Sequence, residues 1–518
     1  MQSATASIHG HGTNYEPGHE PGHQAGSESG QRPGYGPAQL AGSGRRRGRG
    51  LPTTLALLAL CGLLGACGTD SDPLAGRPGG PQGVPTPPNT GDPDCPPDTV
   101  CDDTPAAYAL RDPKSGNSYG NYDLANRPLD GLEVRYIVIH TTDLSWDLTI
   151  KIFQDPTNAA AAHYLVRSSD GRIAKFIAPR HVAWHAGNWY YNMHSIGIEH
   201  EAWAFEGHKW FSDAMYAASA KLVRHLARRY GVPLDRAHIL GHDEVPGISP
   251  ARQKSMHWDP GPYWDWDRYM KLLRAADLVT PDGDPADEQP DTLTDARAPG
   301  AVVTIAPDYA QNVQPVTYCY SPDETSDCRD APAHPVHFLY LRKAPDPLAP
   351  LIENSYLSVW PGDRMYNWGN KVGSGTRWVL AERQGDWDAI FFSGQKGWLY
   401  NPGHKSTRLA QATVVTPRAG LATVPVFGVG YPQPAAYVPP KTAVAMDKTY
   451  DIEAGQKYVA MQRVTADYYW ARTYVEKDKY GTTADQTVVR DGTEYFLINF
   501  NHREALVRVA DMELVRAP

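Results

Sequence analysis

The sequence has no apolar run long enough to span a bilayer comfortably. Its one sustained stretch, Leu51 to Ala66, falls short of the roughly 20 residues a transmembrane helix needs. Positive charge is also in deficit: 49 Lys and Arg against 58 Asp and Glu leave a formal net charge of −9, which argues against nucleic acid as a partner. No segment with helical patterning carries HExxH, so the helix-borne zinc peptidase arrangement is disfavoured. Cysteine is scarce, with six in 518 residues, and two of these, Cys61 and Cys67, belong to the apolar amino-terminal stretch. The others fall as short-range pairs, Cys95 with Cys101 and Cys319 with Cys328. Neither pair has zinc-knuckle company, so both read as loop staples in an oxidising compartment.

Arg45-Arg46-Arg47-Gly48-Arg49 stands directly before the Leu51 to Ala66 run, the order of basic and apolar regions in a secretory signal peptide. The run closes in Leu64-Gly65-Ala66-Cys67, which resembles a bacterial lipobox. Residues 45–67 therefore read as a lipoprotein signal, with Cys67 carrying the lipid that anchors an exported protein to the membrane. Residues 1–44, rich in Gly, His, Pro, Ser and Gln, read as a disordered segment or an overlong gene start. Residues 68–105 are dense in Pro, Gly, Asp and Thr and have almost no apolar period, so an extended tether is expected.

What the chain does contain is polar residues at the ends of short apolar runs. His140 closes Tyr136-Ile137-Val138-Ile139, a β-branched stretch that reads as a buried strand, after which Thr141-Thr142 turn the chain outward. His242 ends Ile239-Leu240-Gly241-His242 in the same manner. Asp259 lies in Trp258-Asp259-Pro260-Gly261-Pro262, where the prolines stiffen the loop and fix one carboxylate at little entropic cost. Two imidazoles and one carboxylate suit Zn2+, and three protein ligands leave the fourth tetrahedral position for water, the catalytic arrangement. In Ser195-Ile196-Gly197-Ile198-Glu199 the isoleucines alternate, so Glu199 falls on the opposite strand face and is the candidate general base. Glu201 shares that face and is its nearest competitor.

Residues 130–275 resemble the type 2 N-acetylmuramoyl-L-alanine amidases, the family of AmpD-like enzymes and peptidoglycan recognition proteins. The likeness runs through YIVIHTT ending at Thr142, AAHYLVRSSDGRIAKFI (161–177), AWHAG (183–187), SIGIEHE (195–201), ILGHDEV (239–245) and WDPG (258–261), in family order. It implies an α/β domain with a mixed central sheet and flanking helices. It also implies zinc-dependent hydrolysis of the amide between N-acetylmuramic acid and L-alanine, in peptidoglycan or muropeptides, with His140, His242 and Asp259 as metal ligands. Asp rather than Cys before Pro-Gly favours the AmpD-like branch. The same resemblance implies that Glu199 acts as general base and that His257 helps hold the oxyanion, where AmpD-like enzymes carry Lys. It places His185 at the cleft wall, in contact with substrate or hydrogen-bonded behind a ligand, and it offers Tyr164 as a second substrate-binding residue. Ala162 stands where phage-type relatives present Tyr. The alternative, a peptidoglycan-binding recognition lipoprotein without activity, conflicts with the intact ligand set.

Strand and helix signals alternate over 106–278, which is taken as the catalytic domain. Within it Met215, Leu222, Val223 and Leu226 have helical spacing between Ser212 and Gly231. An acidic linker (279–299) follows. Beyond it helical periodicity almost vanishes, and Gly-Asp-Trp-Asp-Ala-Ile (385–390) with Gly-Trp-Leu (397–399) resembles a bacterial Src-homology-3-like repeat. Two small SH3-like β-barrels, 300–408 and 414–518, are expected; their aromatics either line a wall-binding groove, which would supply local concentration rather than chemistry, or pack the barrel cores and rims. On that view the protein is a monomer facing the cell wall, and loss of the tail leaves turnover of a small muropeptide unchanged.

Overall fold

The computed structural model describes residues 92–109, 120–274, 298–319, 326–358, 360–439, 441, 443–471 and 486–515. The low-complexity start, the signal segment with Cys67, most of the tether and most of the acidic linker lie outside the described residues. Among the described residues no helix is long and apolar enough to cross a membrane.

Six strands form the sheet that carries the site: β1 (Cys101–Asp103), β2 (Tyr136–Thr141), β3 (Tyr164–Val166), β4 (Ile173–Lys175), β5 (Ser195–His200) and β6 (Ile239–Gly241), in the order β1-β4-β3-β5-β2-β6. Only the β3–β4 pair is antiparallel, so the sheet is mixed. The central strands β2 and β5 are buried on both faces, which is why β2 reads as a near-continuous apolar run. The helices are α1 (Trp146–Phe153), α2 (Trp189–His194), α3 (Asp213–Tyr230) and α4 (Trp266–Arg274). Ile137, Ile139, Ile196 and Ile198 pack against α3 and α4 on one face. The long helix α3 starts where the Ser212 hydroxyl accepts the Met215 N–H, and it stops at Gly231, whose φ of 73° an L side chain would resist.

Both expected disulfides, Cys95–Cys101 and Cys319–Cys328, are formed. The tether, however, ends earlier than its composition suggests. Residues 101–103 form β1, which pairs with β4 in parallel, and the Tyr164 hydroxyl donates to the Asp94 carbonyl at 2.7 Å. A strand of three residues leaves too weak an apolar period to be read from sequence.

Among the described residues after 300 two large antiparallel sheets form, with two small two-stranded ones, Thr317–Cys319 with Cys328–Asp330 and Phe338–Tyr340 with Lys371–Gly373. Of the large sheets, one has five strands, from Val302–Ile305 to Thr407–Leu409, and the other seven, from Thr413–Pro417 to Met512–Val515. The sequence suggests separate barrels; in the structure the tail packs directly on the catalytic sheet. The second face of the catalytic sheet, with Tyr136, Val138 and Leu240, shares one core with Tyr190, Tyr191 and Met193 of α2 and with Phe427, Val464, Tyr468, Tyr495 and Leu506 of the tail. The long hairpin of strands Tyr458–Ala471 and Gln486–Asn499 supplies several of these contacts. At its centre the buried Asp467 accepts from Arg135 (2.9 Å) and lies 2.7 Å from His194 Nε2. The Tyr191 hydroxyl donates to Glu504 at 2.7 Å.

Candidate metal centre and active site

Because β2 and β6 are parallel neighbours with Ile139 opposite Gly241, their carboxyl ends bring His140 and His242 side by side. Open α/β sheets place their sites at this edge. The two rings lie 4.4 Å apart, and the loop carrying Asp259 closes over them. Gly241 permits the closure, since a Cβ there would meet Asp243 Oδ1 at 2.1 Å and Pro260 Cδ at 2.8 Å. Asp259 Oδ2 stands 3.4 Å from His140 Nδ1, and Oδ1 stands 3.2 Å from His242 Nδ1. The Thr141 N–H donates to Oδ2 at 3.1 Å and orients the carboxylate.

The three buried residues fit a zinc ion. Their donor atoms lie within 4.8 Å of one another. Ligands of a tetrahedral zinc at about 2.0–2.1 Å are roughly 3.3–3.4 Å apart, close to the 3.4 and 3.2 Å between each imidazole Nδ1 and the carboxylate oxygen it faces. Protonation states agree. Burial first of all pushes His242 down to about 3, leaving it neutral with a free lone pair. Burial alone would raise Asp259, but His242 first of all, with His140 and His257 beside it, holds its carboxyl well below the usual range.

A chain of hydrogen bonds fixes which nitrogen of His140 faces the site. The single hydroxyl hydrogen of Ser195 goes to the Tyr191 carbonyl at 2.6 Å, so Ser195 Oγ can only accept from His185 Nε2, 3.0 Å away. His185, which burial keeps neutral, therefore accepts at Nδ1, and the atom it accepts from is His140 Nε2 at 2.8 Å. With its proton committed there, His140 presents a bare Nδ1 to the site, the backing that metal-binding imidazoles require. His185 lies flat on β5, where a Cβ on Gly197 would meet its ring at 2.6 Å. This explains the glycine in SIGIE.

Glu199 is paired in register with His140 across β5 and β2, so both side chains stand on the same face. Its Oε2 is buried with no hydrogen-bond partner among the described residues. Burial, then the charges of Asp259 and Asp143, raise its pKa well above the carboxylate range. Glu201 is spent elsewhere: its two oxygens accept the N–H groups of Trp146 (2.9 Å) and Ser168 (3.1 Å), tying α1 to the sheet. His257 stacks on His242 with centroids 4.6 Å apart, and its side chain is 65% exposed, at the mouth of the site.

The structure thus brings together His140, His242, Asp259, Glu199, His257 and His185, the last behind a ligand. Tyr164 does not belong with them. It is fully buried in the core beneath α3, and its hydroxyl is committed to Asp94, so its assignment to substrate binding is corrected. In β3 its ring faces the same side as Ile198, away from Glu199. Ser195 was missed, although it opens the SIGIEHE motif, because nothing local links it to His185.

Paired imidazoles and a carboxylate at the carboxyl ends of parallel strands, with Glu199 one strand away, form a candidate metal site on an α/β domain, the arrangement of a metal-dependent hydrolase. The N-acetylmuramoyl-L-alanine amidase family matches residues 130–262. Over 166 residues the chain is 33% identical to N-acetylmuramoyl-L-alanine amidase A of Achromobacter lyticus, covering 30% of this chain and 89% of that protein. It is 32% identical over 120 residues to the 1,6-anhydro-N-acetylmuramyl-L-alanine amidase AmpD of Haemophilus influenzae, covering 22% of this chain and 59% of the relative. Among solved structures, a selenomethionine derivative of AmpD matches 34% of this chain and 99% of its own, at 25% identity and a TM-score of 0.24. The chain belongs to the N-acetylmuramoyl-L-alanine amidase family.

Proposed function

We propose that the protein is a zinc-dependent amidase that hydrolyses the bond between the lactyl group of N-acetylmuramic acid and the L-alanine of a stem peptide. The observation that carries this reading is the unpartnered Glu199 carboxyl beside three convergent donors, in a chain of this family. His140, His242 and Asp259 would hold zinc, which would supply Lewis acidity to polarise the carbonyl and make water nucleophilic at neutral pH. Glu199 takes the proton from the attacking water and passes it to the leaving amine nitrogen. His257 donates to the developing oxyanion from the open side. His185 and Ser195 hold the His140 tautomer and take no part in proton transfer.

The lipobox ending in Cys67 supports an exported, membrane-anchored location with the cell wall as substrate. The aromatic-rich tail, SH3-like in sequence, is the candidate wall contact.

The direct test is digestion of purified peptidoglycan with mass analysis of the products. Stem peptides with a free L-alanine amino group and glycans with intact lactyl groups are expected. Products cut within the peptide or at glycosidic bonds alone would refute the assignment. Glu199→Gln is expected to lower turnover about 10²- to 10⁴-fold, the range for lost acid–base assistance, with zinc content unchanged. Near-normal turnover in that variant removes Glu199 from the mechanism.

A further inference from the structure

The loop that carries Asp259 has no regular secondary structure, yet its backbone carbonyls are bonded one after another, mostly from the carboxyl-terminal tail. Arg503, buried just ahead of strand Glu504–Arg508, donates through Nη2 to His257 O at 2.9 Å and Met256 O at 3.3 Å. Its Nη1 donates at 2.9 Å to Val245 O, three residues past His242. Trp368 Nε1 donates to Trp258 O at 3.3 Å, and the His337 N–H to Pro262 O at 3.0 Å. The Asp259 carbonyl takes the Asp243 N–H at 2.7 Å.

Asp243 is the acidic neighbour that most favours the charged form of the buried guanidinium. The Asp243 carboxylate lies 3.1 Å from His502 Nε2, and the His502 ring stacks on Trp368 at 3.9 Å with the planes 3° apart. One planar fork therefore ties the two loops bearing His242 and Asp259 to each other, and a second tail residue pins the next carbonyl. A flexible ammonium cannot bridge three carbonyls on two loops in this way.

We propose that Arg503, assisted by Trp368, is a positioning residue of the metal centre, and that the tail completes the catalytic site by setting the separation of His242 and Asp259. The proposal rests on the zinc reading of the site. Asp259 reaches the metal position from a loop, and a ligand displaced by a fraction of an ångström loses affinity.

The test uses full-length wild type, Arg503→Lys and Trp368→Phe. The first keeps the positive charge beside Asp243 but loses the fork; the second keeps the ring on His502 but loses the N–H. Zinc affinity of each apoprotein is measured by competition with a chromophoric chelator, kcat and KM on a soluble muropeptide, and folding by thermal unfolding. Arg503→Lys is expected to bind zinc about 10- to 100-fold more weakly, the range for residues that support metal ligands. Its kcat should fall while KM stays within about twofold, and Trp368→Phe should move the same way by less. Should Arg503→Lys not fold, Trp368→Phe decides alone. Folded variants with wild-type zinc affinity and kcat, or with only a lowered unfolding temperature, overturn the proposal. A wild type that binds no zinc overturns the zinc reading and the proposal with it.

Discussion

Asp259→Ala is expected to abolish both zinc binding and hydrolysis, and so are His140→Ala and His242→Ala. The donor atoms stand at ligand spacing only as a set, because each histidine Nδ1 faces one oxygen of the same carboxylate. Removal of Asp259 takes away the negative charge as well as a ligand, and leaves two neutral imidazoles facing a cation that they hold poorly. Structural zinc sites owe on the order of 10 kcal/mol to a complete ligand set; loss of a third of it leaves about 7 kcal/mol, a Kd on the order of 10 μM, so the site is left largely empty at micromolar zinc. Metal analysis of the purified variants beside muropeptide turnover checks this. Stoichiometric zinc in all three variants would remove this site from consideration. His185→Ala provides the contrast: zinc is retained, more weakly, because His140 keeps its place in β2 but loses the partner that fixes its tautomer.

A chain ending after residue 299 is expected not to fold into an active amidase domain. Without the tail, Tyr136, Val138, Tyr190, Tyr191, Met193 and Leu240 lose the layer that covers them. At roughly 1.5–3 kcal/mol for each exposed side chain the loss is on the order of 10 kcal/mol, as large as the whole stability of a typical domain, about 5–15 kcal/mol. Arg135 and His194 also lose Asp467, and the carbonyls of Val245, Met256 and His257 lose Arg503. Soluble yield, near-ultraviolet circular dichroism and turnover of a small muropeptide measure the outcome. A monodisperse fragment with full turnover would show that the tail is separable after all.

The convergence of His140, His242 and Asp259, with Glu199 beside them, was legible because each follows from a local pattern. Strand ends expose His140 and His242, the Trp-Asp-Pro-Gly-Pro loop singles out Asp259, and alternation within Ser195–His200 separates Glu199 from the isoleucines. The α3 stripe and the two disulfides were equally local. Glu201 could not be ranked below Glu199 from sequence, since period two puts both on one face; only the N–H groups of Trp146 and Ser168 show where Glu201 is spent. Tyr164 erred for a related reason: its motif places it near the site along the chain, but its strand turns the ring into the core beneath α3.

By itself the sequence determined the candidate ligands, the candidate base and the α/β class of the catalytic unit, because these are carried by residues a few positions apart in regular elements. Only the tertiary structure decided that His185 and Ser195 fix the proton on His140, and that the carboxyl-terminal sheets cover the second face of the catalytic sheet and clasp the Asp259 loop. The bond from Arg503 to the Val245 carbonyl spans 258 residues. No periodicity along the chain encodes such a pairing, because it depends on how separately formed sheets pack, and apolar residues on a strand show that a face is buried without showing what buries it.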